Sequence, residues 1–230
     1  MGTRSSSSSA RPRAERAPSA PSALAASVGV ALALVVACAS ASRPRRPSRA
    51  LGFPSACARA GALHFTALGA MPAARVEALA ARYRRAYRVP VTVLPPVPAA
   101  AEAFDRARGQ YEASALLAAV ERAHAATLSD PSARVLAVAT EDQYIATRRW
   151  RYAFAAYGER VAVVSTARMD PAFYGDQADR GLVDARLHRM VTRVLAGIYC
   201  GLPRRGAPDS VLRPEVLSLD DLDVIDESVW

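Results

Sequence analysis

The sequence predicts an α/β layer fold built on a mixed β-sheet, and three observations predict it. Residues 135–139 read Val-Leu-Ala-Val-Ala, an uninterrupted apolar run of the kind found in a strand covered on both faces. Val183, Leu187, Met190, Val191, Val194 and Ile198 fall at i, i+4, i+7, i+8, i+11 and i+15, the stripe of one long helix. Between and before these, strand-like and helix-like segments alternate, the order that lays helices against a sheet.

Taken in order, residues 63–68 alternate in polarity and read as a strand. Met71-Pro72 opens a helix, with Pro in its first turn and Val76, Leu79, Tyr83 and Tyr87 at helical spacing. Residues 89–94 form a second strand, closed by Pro95-Pro96. A second helix carries Leu116, Val120 and Ala123 over residues 110–127, and Asp130-Pro131 marks a turn before the central strand. Residues 150–157 and 160–164 read as two more strands that turn at Gly158. The long helix runs near residues 180–201, ending at Gly201, and Ser218-x-x-Asp221 caps a short helix with Leu219, Leu222 and Ile225. No internal repeat is visible.

Composition narrows the function classes. The chain has 230 residues and a formal net charge of +9; all 30 basic residues are Arg, and 51 residues are Ala. Removing Ala from the apolar fraction leaves enough large apolar residues for one ordinary core. Residues 1–62 hold nine Arg against one acid, while residues 63–230 hold 21 Arg against 20 acids. The basicity therefore lies in the N-terminal segment, and no nucleic-acid partner is expected for the folded part. Three Cys exclude a disulfide-dense scaffold and a structural zinc site made of Cys alone.

Residues 1–22 are rich in Ser, Pro, Ala and Arg, and residues 23–41 form an uncharged apolar block. Basic flank, apolar block and small residues together describe an export signal or membrane anchor over residues 1–41. Ala37-Cys38-Ala39 and Ala39-Ser40-Ala41 suit ordinary signal cleavage, whereas Val35-Val36-Ala37-Cys38 resembles a lipobox with Cys38 as the lipidated residue. The expected location is the cell envelope, with lipid anchoring first and plain secretion or a retained anchor second. Residues 42–62, rich in Arg, Pro and Ala, are expected to be a disordered tether before a domain at 63–230. In an oxidising compartment Cys57 and Cys200 are free to pair.

Candidate chemistry is sparse. His64, His124 and His188 show no metal-ligand spacing. Cys200 follows the long helix near Arg204 and Arg205, a setting that would favour its thiolate, though no His stands at a recognisable distance. Glu141-Asp142 reads as a turn, and the Asp220, Asp221, Asp223 and Asp226 series lacks the spacing and Gly of a calcium loop. Arg148-Arg149-Trp150-Arg151 is a basic and aromatic patch suited to an anionic ligand or peptide. There is no glycine-rich phosphate loop and no Gly-x-Ser-x-Gly.

An ordered series of short motifs resembles the archaemetzincins. Arg108-x-Gln110-Tyr111 is similar to that family's R-x-Q-Y helix start, and Asp142-x-Tyr144-Ile145 to its D-L-Y-V/I segment. Val163-Val164-Ser165-x-x-Arg168-Met169 is similar to its V-S-x-x-R-L strand. Residues 194–205 occupy the family's H-E-x-G-H-x-x-G-L-x-H-C pattern, with Gly197, Gly201 and Leu202 in place. The resemblance implies a metzincin-like sheet with long helices packed on it and a zinc peptidase cleft. It places Val194, Ile198 and Arg204 at the three His positions and Leu195 at the Glu position. The second, cysteine-held zinc site reads Arg205 and Ser210. Val, Ile and Leu offer no lone pair, and Arg is a fixed cation. The expectation is thus a degenerate member without a metal cofactor, zinc returning only if the family activity were retained. Its cleft would serve a peptide or protein partner. The alternatives are a zinc peptidase whose motif is misplaced, another enzyme using Cys200 or His188, and a structural lipoprotein without ligand.

Overall fold

The computed structural model describes residues 51–57 and 61–230. The proposed signal and Cys38 lie outside the described residues. Five strands form the main sheet in the order β2-β1-β5-β8-β7. They are β1 (Leu63–Leu68), β2 (Val91–Val93), β5 (Arg134–Ala139), β7 (Ala155–Tyr157) and β8 (Val161–Ser165). Strands β2, β1, β5 and β8 run parallel, and β7 closes one edge antiparallel to β8. β5 is central, as its apolar run predicts. Leu136 and Val138 enter one core with α1 (Ala73–Ala86) and α3 (Arg180–Ile198), while Val135, Ala137 and Ala139 enter a second with α2 (Ala113–Ala123). Ala162 and Val164 of β8 likewise face the first core, and Val161 and Val163 the second. The period of two along each strand divides a continuous apolar run between two covered faces.

Several elements differ from expectation. Residues 110–112 are extended, not helical, and pair in a second small sheet of β3 (Phe104–Asp105), β4 (Gln110–Glu112) and β6 (Gln143–Tyr144). Glu112 is the N-cap of α2 and accepts from the Ala115 N–H at 2.9 Å, so the helix cannot begin earlier. Of residues 150–157 only the last three join the main sheet. Ala153 N–H is drawn instead to Gln143 O at 2.8 Å. α4 (Leu219–Asp223) starts at the anticipated capping box of Ser218 and Asp221.

The start of the packed structure lies before residue 63. Phe53 stacks within 4.9 Å of Tyr87 and 5.3 Å of Trp230, measured between ring centroids, and Cys57 is buried and disulfide-bonded to Cys200. Residues 51–57 therefore lie against the first core where a disordered tether was expected. The C-terminal tail is held on the same side, where Arg82, Tyr87 and Thr192 each donate to the Glu227 carboxylate at 2.8 Å.

Candidate functional site

An open cleft of about 1120 Å³ runs along the β7 edge. One wall is the segment of residues 147–157, the floor is one face of α3, and the far wall comes from residues 202–204 and 214–217. Phe154 O accepts from Ser165 N–H and Gly158 N–H donates to Val161 O, so residues 154, 156 and 158 face β8. Ala155 and Tyr157 therefore direct their backbone groups away from β8, along the cleft. Trp150, Tyr157 and Leu217 leave large apolar area exposed around it.

The residues that carried the sequence resemblance gather behind the first wall. Arg168 grips the Asp142 carboxylate with two bonds of 2.9 and 2.8 Å, which raises the guanidinium pKa, and its plane lies 4.4 Å from the Tyr152 ring centroid. Gln110 donates to Asp142 at 2.9 Å and to Arg151 O at 3.0 Å. Arg108 lies over the Tyr144 ring, whose hydroxyl donates to Asp105 at 3.2 Å. These groups fix the irregular segment that carries Arg148, Arg149, Trp150 and Arg151 along the cleft. Glu141 is structural too. Its carboxylate accepts from the Ala70 N–H at 2.8 Å, and Gly69, at φ +62°, leaves it room that any Cβ would fill.

On α3 the residues that the resemblance singled out do not face the cleft. Val194 and Leu195 are fully buried in the first core, and Ile198 packs against that core. The α3 residues that line the cleft are Met190, Arg193 and Gly197. One residue along a helix turns about 100°, so a shift of one position separates the core face from the cleft face. Arg204 lies at the cleft, its guanidinium 3.0 Å from where a Cβ on Gly197 would stand. The last turn of α3 is widened. Cys200 N–H donates to Leu195 O five residues back, and Leu202 N–H to Ala196 O six back, around Gly201 at φ +65°. This widened end adds one residue between the cleft face of α3 and Arg204. It left no signal in the sequence.

Arg193 and Arg204 converge. Arg193 donates to Val211 O at 3.2 Å, to Pro214 O at 2.9 Å and to Arg213 O. Arg204 reaches Val211 O at 3.4 Å and lies 5.7 Å from the Tyr157 ring centroid. Arg193 is only 5% exposed; burial, and next the neighbouring Arg204 charge, lower its pKa to about 10. It still carries its proton at neutral pH.

The remaining candidates are placed elsewhere. Cys200 is consumed by the disulfide and is no free nucleophile. His124 is buried with Nε2 3.3 Å from Thr66 Oγ1, and burial lowers the pKa of all three His. Asp221 pairs with Arg213, and Asp223 with Arg186 and Arg189, so these two carboxylates are held in ion pairs. Among the described residues no three His, Cys, Asp or Glu side chains gather to hold a metal ion.

A zinc peptidase from Methanocorpusculum labreanum has this architecture. Its crystal structure superposes with a TM-score of 0.61 over 73% of this chain and 95% of that one, at 19% identity. An archaemetzincin from Archaeoglobus fulgidus, complexed with malonate, gives 0.57 at 20% identity, covering 73% of this chain and 95% of that one. The fold is that of the archaemetzincins. The archaemetzincin from Methanopyrus kandleri agrees, with a TM-score of 0.56 at 22% identity over 73% of this chain and 88% of that one. No protein-family model matches the sequence, and no curated protein aligns with it significantly. Within the archaemetzincin fold, the residues facing this cleft do not suit the metal. Zinc is held by imidazole, thiolate or carboxylate, whereas Arg193 and Arg204 present fixed cations and Gly197 presents no side chain.

Proposed function

We propose that this chain is an exported protein of archaemetzincin fold, without peptidase activity, whose cleft holds a peptide as an added strand. The observation that carries the reading is the pair Arg193 and Arg204 at the cleft floor, where a metzincin peptidase needs neutral or anionic ligands. With Val194 turned into the core, α3 also presents no carboxylate base at the cleft. The binding part of the machinery remains. Ala155 and Tyr157 offer the outward backbone groups of an edge strand, and strand addition uses such groups for affinity. Export is supported by the apolar block at residues 23–41 and by the Cys57–Cys200 disulfide, a bond that persists in oxidising compartments. Cys38 is the proposed point of lipid attachment. Among the described residues no helix is long and apolar enough to cross a membrane, so anchoring would fall to the N-terminal segment.

The test is metal analysis together with a peptide-cleavage assay on purified full-length protein. We expect substoichiometric zinc and no cleavage that a chelator abolishes. Zinc at close to one per chain, with chelator-sensitive cleavage, would overturn the reading.

A further inference from the structure

The cleft is strongly one-signed. Arg148, Arg149, Arg151, Arg193 and Arg204 line it against a single carboxylate, Glu215. The folded part as a whole is nearly neutral, so this is a local concentration of charge and not a general property of the surface.

Arg193 is the telling residue. Other arginines of this fold that are buried or partly buried meet carboxylates: Arg186 pairs with Asp223, Arg168 with Asp142 and Arg213 with Asp221. Arg193 is buried at least as deeply as these, yet its guanidinium donates to three main-chain carbonyls, and the strongest charge acting on it is that of the like-charged Arg204. Holding a buried cation beside a second, partly exposed one without an anion is costly, and the strain is relieved when an anion reaches the pair. Main-chain carbonyls orient the Arg193 guanidinium, while Arg204 keeps a partly exposed face toward the cleft. Tyr157 ties this place to the edge strand, because its ring lies against Arg204.

Resting on the peptide-binding reading above, we infer that the ligand is an acidic peptide, laid along β7 with one carboxylate anchored between Arg193 and Arg204. The place that holds a metal in an active metzincin would then hold an anion, with the charge logic inverted: fixed cations on the protein, a carboxylate on the ligand. Arg148, Arg149 and Arg151 extend the attraction along the wall and favour further acidic side chains.

Calorimetric titration of the full-length protein tests this with three peptides of one length. One is blocked at both ends with a central Glu; one is its Gln analogue, also blocked; one is the Gln peptide with a free C-terminal carboxylate. We expect the Glu peptide to bind about tenfold more tightly than the blocked Gln peptide, as a charge-assisted hydrogen bond implies. That margin should shrink with added salt. Arg204→Gln should erase the margin between the Glu peptide and the blocked Gln peptide. If the free C-terminus alone restores tight binding, the anchored carboxylate is a chain end, which supports the inference and identifies its source. Equal binding of all three peptides, unaffected by Arg204→Gln, overturns the carboxylate anchor and leaves peptide binding standing. No binding of any peptide overturns both. Arg193→Gln is the stronger variant but removes bonds within the fold, so Arg204→Gln, with circular dichroism to confirm folding, carries the decision.

Discussion

Arg193 is held by chemistry that has no substitute nearby. Three carbonyls, those of Val211, Arg213 and Pro214, converge on its guanidinium, and Pro214 belongs to the far wall of the cleft. Removing the donor leaves the partly buried Arg213 and Pro214 carbonyls without this partner and Val211 O with only the long bond from Arg204, which costs more than the net worth of the bonds. Replacing Arg193 with Met, which keeps much of the side-chain length, should therefore destabilise the fold by about 3 kcal/mol. Arg204 is partly exposed and makes one long bond to Val211 O, so Arg204→Ala should cost about 0.5 kcal/mol or less. Urea unfolding of both variants checks the difference. Equal losses would mean that the two arginines share one role, and the division between a structural cation and a ligand-facing one would fail.

At the scale of the element, α3 shows what a sequence can and cannot disclose. The stripe from Val183 to Ile198 made the helix legible, because one face of a 3.6-residue period must be buried. The strands β5 and β8 were legible for a related reason, being apolar on both faces. The small sheet of β3, β4 and β6 was not, since strands of two or three residues are too short to show a period. The cleft face of α3 escaped for a subtler reason. Met190, Arg193 and Gly197 do not differ in pattern from a polar or small flank, and the widened last turn moves Arg204 by one residue without altering any motif. This offset can be tested by building a zinc site back. The set Arg193→His, Val194→Glu, Gly197→His and Arg204→His should bind zinc measurably more tightly than the parent protein. The set read from the sequence, Val194→His, Leu195→Glu, Ile198→His and Arg204→His, should instead unfold, because its Glu and first His enter the core. Zinc uptake by the second set with the fold intact would restore the original frame.

Across the whole molecule, the Cys57–Cys200 bond joins the first described segment to the end of the helix that floors the cleft. Its partners are 143 residues apart, so it closes nearly the whole described chain into one loop. The cross-link acts mainly by restricting the unfolded chain, and for a loop this long the entropy argument gives up to about 5 kcal/mol. Phe53, packed among Tyr87, Tyr199 and Trp230, adds apolar burial that depends on the same attachment. Loss of the bond should release residues 51–57 and loosen the turn at Gly201 that brings Arg204 back over Gly197. We therefore expect Cys57→Ala to lower unfolding stability by about 3–5 kcal/mol. Parent protein unfolded in the presence of reductant should lose a similar amount. Because the bond and the cleft share the end of α3, the variant should also weaken any acidic-peptide binding, although no cleft residue is changed. Urea curves that coincide for parent and variant, with or without reductant, would show that the bond does not stabilise the fold. Its support for export would then fall as well, since a cross-link that does nothing for stability gives no reason for the protein to depend on an oxidising compartment.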